Sequence, residues 1–117
     1  MQSTPTDGPL VVAIDSSTTA TKAIVVDTQG NVISLGRREI ALLSPEQGFG
    51  EHDPRQWWTS THEAVGEAVG KLTPAEKERI AAFGITHQRE SFAPFTADGT
   101  PLRNGILWLD NRAAHQA

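Results

Sequence analysis

The sequence predicts an α/β domain in which an antiparallel three-strand meander is followed by a helix, a parallel strand and a hairpin. Three observations predict it. Runs of β-branched residues separated by tight polar turns fill residues 10 to 43. A capped helical pattern begins at Asp53. A short apolar run, Ile80 to Thr86, follows that helix, so it is reached by a crossover and lies parallel to an earlier strand.

The first strand is Leu10-Val11-Val12-Ala13-Ile14, and it ends in a single carboxylate, Asp15. Ser16 to Ala20 form a turn, because hydroxyl side chains bond nearby backbone groups. Thr21 to Asp27 is the second strand, and Thr28-Gln29-Gly30-Asn31 turns the chain again. The third strand is expected from Val32 to Leu43, before a loop marked by Pro45, Gly48 and Gly50. At the helix start, Asp53 is the N-cap, Pro54 suits the first position, and Gln56 has the offset that completes a capping box. Trp58, Thr61 or His62, Val65, Val69 and Leu72 recur at helical spacing, a stripe expected to pack on the sheet. Thr73, Pro74 and Glu76 repeat the cap pattern and predict a short helical turn to about Arg79.

The run Ile80 to Thr86 is nearly continuous in apolar character, which predicts a buried strand. Ser91 to Thr96 is expected as a strand, with Asp98-Gly99 as a hairpin turn. Ile106 to Leu109 is expected as a last short strand, and Asp110-Asn111 as the cap of a helix starting at Arg112. This order of elements is that of an α/β domain without its second half. The chain is therefore expected to be the N-terminal portion of a larger protein.

A chain of 117 residues is one domain at most. Met1 to Pro9 is polar, with neither the basic start nor the apolar centre of a secretory signal, and is expected to be a loose tail before a domain at residues 10–117. No apolar run approaches the roughly 18 residues of a spanning helix, so no membrane partner is expected. The absence of cysteine excludes a disulfide framework and a thiolate metal site, and fits a reducing cytoplasm. The net charge is −4, with acids and bases interspersed, which argues against nucleic acid as a partner.

The candidate chemistry begins at Asp15. A carboxylate at a strand end, beside amides and hydroxyls, can hold a hydrated magnesium ion and grip phosphate oxygens. Thr18 and Thr19 can bond those oxygens, and Lys22 can reach a transferring phosphate as a point charge. The alternative for this stretch is a hairpin with a polar tip. No GxxxxGK[ST] element exists, which excludes a P-loop. Gln88-Arg89-Glu90 follows the crossover strand. A carboxylate accepting from two neighbouring hydroxyls, beside a guanidinium that donates in a fixed fork, suits a sugar or polyol. The alternative is an ordinary surface ion pair. Trp108 can lay its indole face on sugar carbons, or be core. The four histidines, His52, His62, His87 and His115, show no ligand spacing, and His87 alone adjoins a candidate site.

Three segments stand in order: Ile14-Asp15-Ser16-Ser17-Thr18-Thr19-Ala20-Thr21-Lys22, then Gly50-Glu51-His52-Asp53-Pro54 with Trp57-Trp58, then Gly84 to Glu90 leading to Ile106-Leu107-Trp108. Together they closely resemble the N-terminal part of the FGGY carbohydrate kinases, the glycerol kinase and xylulokinase family, from Leu10 onward. The resemblance implies a ribonuclease-H-like fold of the actin and sugar-kinase type. It also implies ATP-dependent phosphorylation of a sugar or polyol hydroxyl, with Mg²⁺. By the same resemblance, Asp15 lies near the metal and the γ-phosphate, and Thr18 and Thr19 touch nucleotide phosphates. Lys22 stands where glycerol kinases carry an arginine. Arg89 and Glu90 match the pair that bonds substrate hydroxyls, and Trp108 matches a pocket tryptophan.

The chain departs from the glycerol kinase pattern Asp-x-Gly-Thr-Thr-Ser at Ser17 and Ala20, and the lost glycine is a possible restriction on the turn. The Met-His-Gly motif of xylulokinases is replaced by His87-Gln88-Arg89-Glu90, which favours a polyol such as glycerol. The resemblance also implies that the catalytic aspartate and most of the ATP-binding lobe lie beyond residue 117, so the chain alone is not expected to catalyse. One competing expectation is a non-catalytic interaction module that exposes an apolar sheet face and forms a homodimer. Another is a magnesium-dependent nuclease using Glu90 and Asp110 with Asp15, which the absence of a basic patch argues against.

Overall fold

A computed structural model describes residues 8–116. Residues 1–7 of the expected tail lie outside the described residues. Gly8 is held in place, its carbonyl accepting from Arg79 Nε at 2.7 Å. The meander is present as β1 (Leu10–Ser16), β2 (Ala20–Val26) and β3 (Val32–Glu39). A crossover then leads through α1 (Pro54–Gly70) and α2 (Pro74–Glu78) to β5 (Ile80–His87). These four strands form one sheet in the order β3-β2-β1-β5, with β5 parallel to β1 as expected and the other pairs antiparallel. β4 (Glu51–His52) and β6 (Gly105–Ile106) pair in a second, two-stranded sheet.

Alternation along β1 and β2 decides what faces the helix. Leu10, Val12, Ile14 and Ser16 of β1, and Thr21, Ala23 and Val25 of β2, are buried beneath α1. Asp15 and Lys22 fall on the opposite face. At the β2–β3 turn, the Asp27 carboxylate accepts from the backbone N–H groups of Gln29 and Asn31, both at 2.9 Å, and Gly30 adopts the φ of 83° that the turn requires. The third strand stops at Glu39 rather than Leu43. Beyond it only an isolated bridge, Leu43 to Glu51, continues the pairing.

The helix face matches the expected stripe only in part, since Leu72 is buried in the core. Ser60, Ala64 and Ala68 are the buried residues along the helix body, whereas Trp58 is 69% exposed and Val65 and Val69 only flank the core. The reason is steric. Gly36 of β3 lies against the helix backbone, so only small residues fit between helix and sheet. Thr21 and Ser60 share a buried hydroxyl–hydroxyl bond of 2.7 Å there, and Ser34 Oγ donates to the Ala68 carbonyl at 2.6 Å. Asp53 caps α1, accepting from Arg55 N at 3.0 Å, but the Gln56 capping box does not form. Gln56 Oε1 instead accepts from Ala41 N at 3.0 Å, the unpaired N–H of chain leaving β3. The second box, Thr73 with Glu76, forms fully.

β5 is not buried. It is the sheet edge, and Phe83 and Ile85 are 72% and 56% exposed. The apolar run reflects a face turned toward an open groove between α1 and β5, about 880 Å³ in volume. Residues 91–96 are not a strand, since they make only the isolated bridges Phe92–Ile106 and Phe95–Pro101. The expected 106–109 strand is confined to β6, and the helix expected at Arg112 is a single 3₁₀ turn at Ala114–Gln116.

Candidate functional site

The sheet register sets out the first part of the site. Asp15 on β1 lies opposite Lys22 on β2, which lies opposite Arg37 on β3; Thr86 on β5 is the parallel partner of Asp15. Residues directly opposite share a face, so a hydroxyl, a carboxylate and two cations cross the sheet in one row. They sit on the face away from α1. Asp15, Lys22 and Thr86 line the end of a groove of about 520 Å³ whose floor is Val11, Ala13, Ile24 and Gly84. Ser17 Oγ donates to Asp15 Oδ1 at 2.6 Å, and Thr86 Oγ1 approaches the same oxygen at 3.5 Å. Lys22 makes no ion pair with Asp15, so its ammonium is not neutralised by its neighbour across the strands.

The turn between β1 and β2 closes with Ser17 N donating to Ala20 O at 2.9 Å. Ser17 does not have a positive φ, so the missing glycine costs this turn no backbone strain. Thr18 is engaged internally. Its hydroxyl donates to Gln88 Oε1 at 3.2 Å and accepts from the Trp108 indole N–H at 2.9 Å. Its carbonyl accepts from His52 Nε2 at 2.7 Å. The Thr19 side chain forms no hydrogen bond among the described residues, which leaves its exposed hydroxyl free for a ligand.

His52 is fully buried. A carbonyl only accepts, so the Nε2 that meets Thr18 carries the proton, and Nδ1 accepts from Trp57 Nε1 at 2.8 Å and from Gln88 Nε2 at 3.3 Å. Burial pushes the His52 imidazole below its ordinary value, a shift the Thr18 bond opposes and the neighbouring His87 reinforces. His87 is lowered by burial as well, and its Nδ1 meets the Ser16 hydroxyl at 3.0 Å. Two histidines therefore adjoin the site, not His87 alone. Lone histidines scattered along a chain carry no spacing signal, and no linear pattern marks His52 as part of the site.

Arg89 and Glu90 follow β5 and are exposed. Neither forms an ion pair or a side-chain hydrogen bond among the described residues, so the ordinary surface pair is not what the structure contains. Glu90 is the one non-glycine residue with positive φ among the described residues, at 62°. Trp108 is 58% exposed, so it is not core, and its backbone N–H donates to Ser91 Oγ at 3.1 Å. The loop that carries it is clamped by ion pairs. Arg112 Nη2 lies 2.6 Å from both Glu51 Oε2 and Asp110 Oδ2, Arg103 Nη2 lies 2.8 Å from Glu51 Oε2, and the Arg112 guanidinium sits 3.8 Å above the Phe49 ring. Hydrogen bonds from Arg112 hold the Glu51 and Asp110 carboxyls below the usual carboxylate range, against the effect of burial. Asp110 is thus a clamp residue, which removes it from the carboxylates a nuclease centre would need.

Among the described residues no group of three or more His, Cys, Asp or Glu side chains converges as a metal cage. The donor set at Asp15 suits magnesium nonetheless. That ion keeps several waters and takes one or two carboxylates plus substrate phosphates, and Asp15 has one oxygen that accepts no bond from the protein. No helix among the described residues is long and apolar enough to cross a membrane.

Comparison with known proteins follows the same lines. The family model described as the FGGY family of carbohydrate kinases, N-terminal domain, matches residues 10–117. The glycerol kinase of Beutenbergia cavernae is 39% identical over 103 residues, covering 87% of this chain and 20% of the relative. The glycerol kinase of Klebsiella pneumoniae subsp. pneumoniae is 37% identical over 110 residues, covering 93% of this chain and 22% of the relative. Among solved structures, the xylulose kinase from Rhodospirillum rubrum superposes with a TM-score of 0.86 at 27% identity, over 92% of this chain and 22% of that one. Plasmodium falciparum glycerol kinase with ADP gives 0.76 at 28% identity, over 93% and 22%. The chain spans about a fifth of the length of these relatives.

Proposed function

Because the chain belongs to the FGGY family of carbohydrate kinases as an N-terminal domain, we propose that it supplies the first half of a site for ATP-dependent phosphorylation of a sugar or polyol hydroxyl. The observation that carries this reading is the convergence at the carboxyl ends of β1 and β5. The Asp15 row and the 17–19 turn end one strand, and Gln88-Arg89-Glu90 ends its parallel neighbour. Ligands of open α/β sheets bind in the crevice outside those ends.

In this reading Glu90 accepts from neighbouring hydroxyls of the substrate, and Arg89 donates to them in a fork. Trp108 offers its exposed face to the carbon skeleton while its N–H remains on Thr18. Thr19 and the turn amides bond nucleotide phosphate oxygens, and Lys22, with Arg37 opposite, offsets their charge. Arg37 is itself paired with Glu39, Nη1 to Oε1 at 3.6 Å, so among the described residues Lys22 is the cation of this row that makes no ion pair. Asp15 is the residue that would hold magnesium, which would supply positive charge against the charge that develops during phosphoryl transfer. Phosphoryl transfer depends on positioning and electrostatics, and no second lobe or catalytic base is assigned within these residues. The absence of cysteine fits a cytoplasmic setting.

The test is a coupled ADP-release assay, with glycerol, erythritol and xylulose, on the product of the whole open reading frame that contains this chain. Polyol-dependent turnover is expected, reduced at least about a hundredfold in Asp15→Asn, since loss of one transition-state electrostatic contact costs that order. Unchanged turnover in Asp15→Asn, or no phosphorylation of any polyol or ketose, would overturn the reading. The 117-residue chain by itself is expected to be inactive.

A further inference from the structure

We propose that His52 is a positioning residue which ties the phosphate-side turn to the substrate-side corner, so that both halves of the site are set by one imidazole. The geometry is a closed ring. Thr18 Oγ1 donates to Gln88 Oε1, Gln88 Nε2 donates to His52 Nδ1, and His52 Nε2 donates back to the Thr18 carbonyl. Two further donors anchor it: the Trp57 indole on His52 Nδ1 and the Trp108 indole on the Thr18 hydroxyl. The ring joins three separate elements. Thr18 is on the β1–β2 turn, His52 is at the end of β4 against the N-terminus of α1, and Gln88 is the residue after β5. Gln88 immediately precedes Arg89 and Glu90, and Thr18 immediately precedes Thr19. Moving either neighbour pair therefore means opening the ring.

The direction of every bond in the ring is fixed. His52 can donate only from Nε2 and accept only at Nδ1. That makes its two nitrogens separable by substitution. A glutamine amide reaches the Nε2 position and retains the donation to Thr18. An asparagine carbonyl reaches only the Nδ1 position and retains the acceptor for Trp57 and Gln88. A residue that merely fills space would respond alike to both changes.

The catalytic meaning of the ring rests on the kinase reading above, but its existence does not, and the experiment separates the two. In ¹⁵N-labelled chain, His52→Asn is expected to move the amide resonances of Ser17, Thr18 and Thr19 and the Trp108 indole N–H, and to raise amide exchange in the turn about tenfold, the effect of one lost hydrogen bond. His52→Gln is expected to leave the turn resonances near those of the parent. Should His52→Asn fail to fold, Gln88→Met opens the ring from its partly exposed side and is expected to give the same resonance shifts. Equal spectra for the asparagine and glutamine variants, or an unmoved Thr18 signal in Gln88→Met, would overturn the proposal. In the whole-enzyme assay, His52→Asn is expected to raise KM for ATP and for the polyol together by about tenfold, with His52→Gln restoring the ATP value to within about threefold. A change in thermal midpoint without any change in KM would reduce His52 to a packing residue. A parent enzyme that phosphorylates nothing would remove the kinase reading, while the resonances would still decide the ring.

Discussion

Gly36 and Ala64 are packed so closely that a Cβ on Gly36 would come 2.1 Å from the Ala64 carbonyl oxygen. The obstacle is helix backbone, which cannot rotate aside as a flexible side chain can. Gly36→Ala is therefore expected to push α1 off the sheet and to destabilise the domain by about 1–3 kcal/mol, the range for overpacking a tight contact. The urea midpoint of the variant against the parent measures this. A midpoint shift smaller than a few tenths of a kcal/mol would mean that the helix can slide, and that the small-residue face is not selected by contact with β3.

The left-handed backbone of Glu90 predicts a trade between stability and binding. A non-glycine residue in that region costs about 1 kcal/mol relative to glycine. Glu90→Gly is expected to raise the stability of the domain by up to about that amount. The same change removes the carboxylate that would accept substrate hydroxyls, so polyol KM should rise by at least about tenfold, as for loss of a charged hydrogen bond. Paired chemical denaturation and kinetics read both sides. A variant that binds polyol as well as the parent would take Glu90 out of the pocket.

The two lowered imidazoles, the buried His52 and the more exposed His87, predict an acid-side loss of stability that begins at mildly acidic pH. Both His52 and His87 have folded values below the ordinary one. The unfolded chain then binds protons that the folded chain does not, so stability falls as pH drops below about 6.5. His87→Asn is expected to reduce the slope between pH 7 and 5. Urea midpoints that stay level across that range would contradict lowered folded values at both residues.

A second, lower limb belongs to the loop clamp. The folded values of Glu51 and Asp110 are depressed, chiefly by hydrogen bonds from Arg112. Their contribution is complete above the unfolded carboxylate values near pH 4 and is lost as pH falls below them. Glu51→Gln should flatten the limb below pH 4 while lowering stability at neutral pH, because it removes the negative charge shared by Arg103 and Arg112 and turns one carboxylate oxygen into a donor. Trp108 fluorescence followed over the same titration would report whether its loop detaches with the clamp.

Phe83 and Ile85 project from the edge strand into the open apolar groove. The 117-residue chain is expected to self-associate through this surface, as exposed apolar patches do. Sedimentation velocity should show a dimer or larger species that Phe83→Asp reduces at equal concentration. A monomer at all concentrations would remove the expectation.

The parts of the fold that could be read from the sequence are those fixed by local chemistry. Asp53-Pro54 and Thr73-Pro74-Glu76 announce helix starts through the backbone N–H groups they satisfy or lack. The β-branched runs around the Asp15 turn announce strands through alternation. What escaped was decided by distant partners. The stripe from Trp58 to Leu72 satisfies helical periodicity, but Gly36, 28 residues before Ala64 and 32 before Ala68, selects those two by size rather than by hydrophobicity. Ile80 to Thr86 looks like a buried strand because its apolar face is turned toward a groove that none of the described residues covers. Ser91 to Thr96 has strand-like residues but no continuous ladder to join. In the site, Asp15, Lys22, Arg89 and Glu90 could be nominated from residue type and position. Thr86 and His52 could not, since the first gains its place by parallel register and the second by a ring of contacts that no linear spacing encodes.

The ring through Thr18, Gln88 and His52 also bears on how this domain can be recombined with its relatives. A chimera joined anywhere between residues 19 and 87 would take Thr18 from one parent and Gln88 from the other, and His52 from whichever side of the junction it fell. Two parents with different solutions to those bonds would then give a hybrid whose segments are each sound and whose site is not. Junctions before Asp15 or after Trp108 keep the set together. Transplanting a new substrate preference into this scaffold means moving the ring as one inheritance unit.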